Sequence, residues 1–282
     1  MSPAPAGNPS HTVDGIVLLG WKTEAEALAF LMNHCVFDEP LGKDAALAIW
    51  HHYRSAVASL PERAALAPQR LPITGHYELE AVKEFKRKWR GALNILDVVK
   101  IDPMGLVVHQ LDIVVERSHS TYRSKVESMN GWLKHGLFGD GATPSLNIRA
   151  AMNAVDVELP HAEFVFGFNP ARGFTVEQMA RHVNVTEFGN RMMLWAGYHR
   201  SYARMLSMAP DAIDRSLVVA LTADGNFKVS PLSPNQGERE MLTGLRPPLF
   251  GDFLDDRLVM KVKLRKKRFE LHVRAAIAAI DA

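Results

Sequence analysis

The sequence predicts an α+β protein in which a helical N-terminal part packs on a mixed sheet. Apolar residues recur at helical spacing through roughly the first third of the chain. Strand-like runs rich in β-branched residues cluster after residue 94. A strand, a glycine turn, a helix and a further strand follow one another between residues 191 and 221. Because helices and strands must each cover an apolar face, we expect the helices to pack on the sheet.

The composition is that of a soluble globular protein. Its 282 residues are 47% hydrophobic and 23% charged, enough for one large domain or two of ordinary size. The formal net charge of +2 is too near neutral to indicate a general nucleic-acid or membrane binder. Residues 1–14 are rich in Pro, Ala, Gly and Ser and lack the regions of a signal peptide. We therefore expect a disordered leader over 1–14, no membrane partner and a cytoplasmic location.

Cysteine and histidine spacing gives no indication of a metal site. The single cysteine, Cys35, excludes an internal disulfide and a multi-cysteine metal centre. It lies in an apolar helical pattern, so we expect a buried, chemically quiet thiol. His51 and His52 are adjacent on a predicted helix and diverge by about 100°, so they cannot share one metal ion.

Residues 15–140 are predicted to form a helical region followed by a β-hairpin. Thr23 and Glu26 make a capping box for a helix near 24–36. An amphipathic stripe over 43–60 predicts a second helix that stops at Pro61. A third helix is predicted over roughly 79–90. The hairpin is predicted from strands at 95–101 and 106–115, with His109 and Asp112 on opposite faces of the second strand.

The predicted second region, residues 141–282, begins with strands at 155–159 and 164–168. The turn Asn169-Pro170-Ala171-Arg172 follows them. Thr175 and Gln178 then form a capping box that predicts a helix continuing to Val183.

The most informative segment of this region is Arg191 to Leu206. Met192 to Ala196 is an apolar run that predicts a strand, and Gly197 ends it. Good helix formers at helical spacing follow the His199-Arg200 pair. Free N–H groups at a helix start favour an anion, and a guanidinium can bind it bidentately. A solvated surface turn is the competing interpretation.

The order of these motifs resembles the ParB N-terminal and sulfiredoxin-like superfamily over about residues 160–225. In that family a Gly-Glu-Arg-Arg-x-Arg-Ala or Gly-Cys-His-Arg motif holds the phosphates of a nucleotide. The resemblance implies that Gly197 is the turn glycine, that His199 and Arg200 contact phosphate, and that Ala203 matches the family alanine. By the same resemblance, Asn169 and Pro170 correspond to the Asn-Pro turn of the family, and Arg172 corresponds to the arginine of that turn.

The departures from that family narrow the expected activity. Tyr198 stands where sulfiredoxins have their reactive cysteine, which argues against sulfinic acid reduction. No convincing helix-turn-helix follows residue 225, which argues against a role in chromosome or plasmid partition. The first hypothesis is therefore a nucleotide- or phosphate-ligand-binding protein, a phosphotransferase or nucleotide hydrolase if it is an enzyme, using a nucleoside triphosphate with Mg. Its candidate binding residues are Asn169, Arg172, Gly197, Tyr198, His199, Arg200 and Ser201.

The C-terminal segment supplies an alternative from a different class. Apolar residues from Leu258 to Leu264 alternate with lysine and arginine, and a second alternating run follows a basic turn. Such a ribbon could contact nucleic-acid phosphates, whereas an edge strand protected by lysines is the competing interpretation. The alternative function is a non-catalytic nucleic-acid- or protein-binding module that uses Lys263, Arg265, Lys266, Lys267 and Arg268.

Overall fold

The computed structural model describes residues 12–62, 68–88, 95–115, 137, 147–151, 154–159, 164–169, 173–178, 183–188, 190–207, 216–222, 244–265 and 269–274. Within these residues the protein is α+β, as predicted. In chain order its elements are β1 (Thr12–Val17), α1 (Glu24–Asn33), β2 (Cys35–Val36), α2 (Lys43–Ala58), β3 (Arg70–Leu71), α3 (His76–Lys88), β4 (Ile95–Ile101), β5 (Val107–Val108), β6 (Asp112–Val114), β7 (Asn147–Ala151), β8 (Ala154–Leu159), β9 (Phe164–Asn169), β10 (Gly173–Gln178), β11 (Asn184–Phe188), β12 (Arg191–Ala196), α4 (Tyr198–Ser207), β13 (Leu217–Thr222), β14 (Met260–Arg265) and β15 (Phe269–Arg274).

The chain divides into two compact units. The first unit combines Met1–Gly139 with Arg181–Arg265, and the second combines Asp140–Ala180 with Lys266–Ala282. The sequence places a single boundary between residues 140 and 141, whereas the chain returns to the first unit at Arg181. None of the helices in the described part of the chain is long and apolar enough to cross a membrane.

The first unit contains an antiparallel sheet with the strand order β2-β14-β1-β6. Strand β1 pairs with β14 from Thr12, opposite Arg265, to Val17, opposite Met260. The predicted leader of residues 1–14 is therefore too long, because its last three residues lie in β1. That strand pairs with residues some 245 positions away in sequence, so local composition carries no signal for it.

Helices α1 and α2 pack against this antiparallel sheet. Their apolar residues share a core cluster with Val17 of β1 and with Val262 and Leu264 of β14. The capping box is confirmed: Glu26 N–H donates to Thr23 Oγ1 at 3.3 Å, and Thr23 N–H donates to a Glu26 carboxylate oxygen at 2.9 Å. The predicted continuation of α1 to residue 36 is wrong, since β2 pairs with β14.

The first unit also contains a mixed sheet with the strand order β3-β4-β13-β11-β12-β5. The pairs β13–β11 and β12–β5 are parallel, and the other neighbouring pairs are antiparallel. Apolar residues of α3 share one core cluster with β4 and β13. Tyr198, Tyr202 and Met205 of α4 belong to another cluster, which also takes residues from both sheets.

The predicted hairpin between residues 95–101 and 106–115 is wrong. Strand β4 pairs with β13 and β3, and the second segment is divided into β5 and β6, which belong to different sheets. Asp102 caps the short 3-10 helix Pro103–Gly105 between β4 and β5, accepting from Met104 N–H at 2.9 Å. His109 and Asp112 therefore do not share a strand, and the argument about opposite faces does not apply.

The second unit contains the antiparallel sheet β15-β8-β7 and the hairpin β9–β10. The strands predicted at 155–159 and 164–168 are confirmed by β8 and β9. The helix predicted from Thr175 and Gln178 is wrong, because both residues lie in β10. Residues 174–177 alternate apolar and polar side chains, and pairing with β9 favours that period over an isolated capping motif.

The buried thiol of Cys35 should react slowly in the native protein. The residue is 2% exposed in the core cluster of α1 and α2. Burial, reinforced by the negative charge of Asp112, raises the pKa of the Cys35 thiol to about 12. Because the thiolate is the reactive form, iodoacetamide labelling at pH 8 should be at least about 100-fold slower in native protein than in urea-unfolded protein. Equal rates in the two states would contradict this.

Candidate functional site

Two parallel strands of the mixed sheet end at the same edge. Strand β12 pairs with β5 through Met193 opposite Val107 and Leu194 opposite Val108. Extending this register places His109 opposite Trp195, and their rings stack with centroids 4.9 Å apart and an interplanar angle of 26°. Ligands commonly bind at the carboxyl ends of parallel strands in open sheets. This edge is therefore the place to examine for a site.

The turn from β12 into α4 requires a glycine. Gly197 has φ of +94°, a conformation that side-chain-bearing residues rarely adopt. A Cβ at this position would lie 2.9 Å from both the Cα and the Cγ2 of Val183. The predicted order of strand, glycine turn and helix is thereby confirmed, and so is the strand predicted at 217–221.

Helix α4 begins without a side-chain cap from the residue before it. Its first recorded main-chain bond runs from Ser201 N–H to the Gly197 carbonyl oxygen at 2.9 Å. Helix geometry leaves the N–H groups of the first turn without carbonyl partners inside the helix, and Gly197 has no side chain to accept from them. These N–H groups and the helix dipole together favour an anion at this end.

Ser201 adds a second polar feature to the same turn. The residue is completely buried, and its hydroxyl has no hydrogen-bond partner among the described residues. In an α-helix each Cα–Cβ bond tilts toward the N-terminus, so the Cβ that carries this hydroxyl leans back toward the start of α4. A buried hydroxyl without a partner costs stability, roughly 1–3 kcal/mol. Its presence calls for a partner that the described protein atoms do not provide.

The Tyr198 hydroxyl has a structural role, so the predicted phosphate contact of this residue would have to come from its main-chain N–H. Its hydroxyl donates to the Leu194 carbonyl oxygen at 2.7 Å and accepts from the main-chain N–H groups of His109 and Gln110 at 3.0 and 3.2 Å. The residue is 3% exposed, and burial raises the pKa of its phenol. Both lone pairs and the proton of this hydroxyl are thus engaged by the protein.

The hydrogen bonds of Tyr198 also determine the tautomer of His109. Nδ1 of His109 lies 3.2 Å from the Leu194 carbonyl oxygen and 3.0 Å from the Tyr198 hydroxyl. Because that hydroxyl already donates to Leu194 and accepts twice, we assign the proton to Nδ1, which donates to Leu194. Burial lowers the pKa of the His109 ring, and the bond to Leu194 partly opposes that shift. The ring is therefore neutral at pH 7, with a lone pair on Nε2.

Sequence reasoning missed His109 and Trp195 as members of this site. His109 was assigned to the middle of a long strand, whereas it directly follows the two-residue strand β5. The pairing that brings the two residues together joins segments about 85 positions apart. A signal available in the sequence was the end of the apolar run at Val108, immediately before His109 and Gln110.

The structure groups some of the other predicted binding residues and separates the rest. His199 and Arg200 occupy the first turn of α4 beside Gly197 and Ser201, and the Arg200 side chain lies outside what the structure describes. Asn169 is the last residue of β9, in the second unit, and precedes a strand instead of the predicted helix. Arg172 lies outside the described residues.

The half-buried strand with a basic face that the C-terminal pattern predicts is present as β14, in which Val262 and Leu264 are buried while Lys261 and Lys263 are exposed. Strand β14 lies between β2 and β1 and is therefore not an edge strand, whereas β15 pairs with β8 in another sheet and lies at the edge of that sheet. Lys263 contacts Asp14 at 2.5 Å, and Lys261 contacts Asp256 at 3.0 Å. These acidic partners reduce the positive potential of the strand. Arg265 is exposed at its end, while Lys266, Lys267 and Arg268 lie outside the described residues.

No protein-family model, curated protein or solved structure matches this chain. The resemblance to the ParB and sulfiredoxin-like superfamily therefore stays a prediction. Within the described residues, no group of three or more His, Cys, Asp or Glu side chains could hold a metal ion. Glu187, a nearby carboxylate in sequence, is paired with Arg70.

Substituting Gly197 with alanine should destabilise the protein. The new Cβ combines an unfavourable positive φ with an overlap against Val183, together costing about 2 kcal/mol or more. Gly105→Ala is the matched control, because its Cβ would meet only Pro68 at an ordinary 3.7 Å. We expect the control to stay within about 0.5 kcal/mol. Urea unfolding followed by tryptophan fluorescence compares them, and equal midpoints would contradict the strained-turn argument.

Tyr198→Phe should destabilise the protein more than Tyr202→Phe. The first change removes the acceptor of two main-chain N–H groups, at a cost of about 1–3 kcal/mol. Tyr202 lies on the same helix and is 8% exposed, and no hydrogen bond of its hydroxyl is recorded within the described residues. We therefore expect a change of about 0.5 kcal/mol or less for the control. Thermal unfolding measures the stability of both variants. Similar losses of stability would show that the hydrogen bonds from the two main-chain N–H groups to the Tyr198 hydroxyl do not stabilise the fold.

Proposed function

We propose that this protein binds a phosphate-bearing ligand, with a nucleotide as the expected class, at the start of α4. The observation that carries the proposal is the shared edge of β5 and β12. There the start of α4, which follows a glycine that has no side chain to cap it, and His109 come after two adjacent parallel strands. Anions bind at helix starts because main-chain N–H groups and the helix dipole both favour negative charge.

Ser201 supports the proposal independently of the helix dipole. Its buried hydroxyl lies in the first turn of α4 and lacks a partner among the described residues. A phosphate oxygen would accept its hydrogen bond. The ligand would thus offset a desolvation cost that the free protein bears.

The geometry also limits what the protein contributes to a nucleotide complex. Magnesium that accompanies a nucleotide is usually held by the phosphate oxygens together with one or two carboxylates. Phosphoryl transfer or hydrolysis would then depend on positioning and on the positive first turn of α4. Binding is therefore the property to measure first.

Arg200→Ala should weaken ATP binding while leaving the fold intact. Arg200 lies in the first turn of α4, where a charge-assisted bond to phosphate contributes roughly 1.5–3 kcal/mol. The dissociation constant for ATP should therefore rise by about one to two decades. Calorimetric titration with ATP, with and without magnesium, measures it. Arg204→Ala is the control, because it removes the same charge one turn further along the helix.

Ser201→Ala separates binding from stability at the same turn. The substitution breaks no hydrogen bond recorded in the described structure, so the free protein should keep or gain stability. Affinity for ATP should nevertheless fall. A wild-type protein that binds neither ATP nor inorganic phosphate would refute the proposed function. Equal affinities for wild type and Arg200→Ala would remove Arg200 from the site.

A further inference from the structure

His109 is the titratable side chain at this edge whose outer ring nitrogen the fold leaves unused. Nδ1 is tied to Leu194, one ring face stacks on Trp195, and Tyr198 makes an edge-on contact at 5.6 Å between centroids. Within the described residues, all recorded hydrogen bonds of the ring involve Nδ1. The ring is therefore held in one orientation by contacts that leave Nε2 available.

The position of His109 brings it within reach of an anion at the start of α4. It lies level with Trp195 on the neighbouring strand, two residues before Gly197. Two residues of strand span about 7 Å. A tetrahedral anion with a hydrogen bond of about 2.9 Å on each side covers a similar distance. The spacing along the strand thus matches the span of one phosphate group between the first turn of α4 and the imidazole.

We infer that His109 takes up one proton when the phosphate-bearing ligand binds, and that Nε2–H then donates a hydrogen bond to a phosphate oxygen. This inference rests on the proposed function and deepens it, because it assigns the residue through which the affinity of the site for an anion increases at lower pH. In the step, solvent supplies one proton to the Nε2 lone pair, and no covalent bond to phosphorus forms or breaks.

The charges around His109 favour this sequence of events. The titratable or charged residues of the elements beside it are Arg191 of β12, Asp112 of β6, and Tyr198, His199, Arg200, Tyr202 and Arg204 of α4, and Trp195 adds no charge. Burial is the main cause of the lowered pKa of His109, and no charged neighbour contributes to it. The phenol of Tyr198 stays neutral, since burial raises its pKa. A bound dianion would thus be the dominant new charge and would raise the pKa of the ring.

The sign of the pH dependence follows from linkage. Above the raised pKa of the complex, His109 is neutral in both states and affinity does not depend on its titration. As pH falls from the pKa of the complex to the lower pKa of the free protein, binding takes up a proton and affinity rises. The gain is at most about tenfold per pH unit. Below the pKa of the free protein this contribution is constant.

Two substitutions separate the two ring nitrogens. His109→Asn keeps a donor at the position of Nδ1, which faces Leu194, and lacks a group at the Nε2 position. His109→Gln keeps a neutral donor near the Nε2 position, which cannot titrate. We expect the asparagine variant to lose ATP affinity across the pH range. The glutamine variant should retain affinity near neutral pH and lose the additional gain at acid pH.

The experiment is calorimetric titration of full-length protein with ATP between pH 5.5 and 8, in two buffers of different ionisation enthalpy. Proton uptake by ATP itself is common to wild type and variants, so the difference between them isolates His109. On binding ATP, the wild type should take up as much as one proton more per ATP than either variant does. If the variants melt early, an NMR pH titration of the His109 ring in the wild type, with and without ATP, gives the same answer.

The outcomes distinguish this inference from the proposed function. Binding of ATP by wild type with proton uptake equal to that of both variants would overturn the role of His109 and leave the phosphate site intact. Absence of ATP and phosphate binding by wild type would overturn both. Equal loss of affinity in the asparagine and glutamine variants, without a change in proton uptake, would show that His109 only supports the fold.

Discussion

The carbonyl oxygen of Leu194 is the acceptor on which the candidate site depends. It accepts a hydrogen bond from the Tyr198 hydroxyl at 2.7 Å and lies 3.2 Å from Nδ1 of His109. These two contacts connect the end of β12 with the first residue of α4 and with the residue that follows β5. Because the tyrosine hydroxyl also accepts from two N–H groups after β5, the helix start cannot shift without breaking a buried network. Such networks specify one arrangement when all their members are satisfied.

The residues at this edge of the sheet fall into two groups that have different roles. The Tyr198 hydroxyl has every hydrogen-bonding position occupied by the protein, so this side chain fixes geometry and has nothing left for a ligand. Ser201 and Nε2 of His109 have no such partners among the described residues. The first group orients the second, as is required of a preorganised binding site. A motif that treats residues 197–201 as equivalent phosphate contacts overlooks this division.

How far the sequence predicted the structure depends on the range of the interaction concerned. The capping box at Thr23 and the turn at Gly197 were predicted correctly, because their physics lies within a few residues. Strand β1, the β5–β12 pair and therefore His109 were missed, since each depends on partners far away in the chain. The false capping box at Thr175 shows a local motif overruled by strand pairing. The fold class was nevertheless predicted correctly, because it depends on the hydrophobic periodicity of many segments.

The energetics of the α4 start favour a functional interpretation over a purely structural one. A positive-φ turn restricts position 197 to glycine, and the following helix start has no side-chain cap from that residue. A buried serine hydroxyl without a described partner lies in the same first turn, although an apolar side chain such as that of nearby Ala203 is buried in this helix without that cost. Each feature lowers the stability of the free protein. Departures from local consistency of this kind concentrate where a protein binds something. Their convergence on one turn, beside an oriented neutral imidazole, is what an anion would offset on binding.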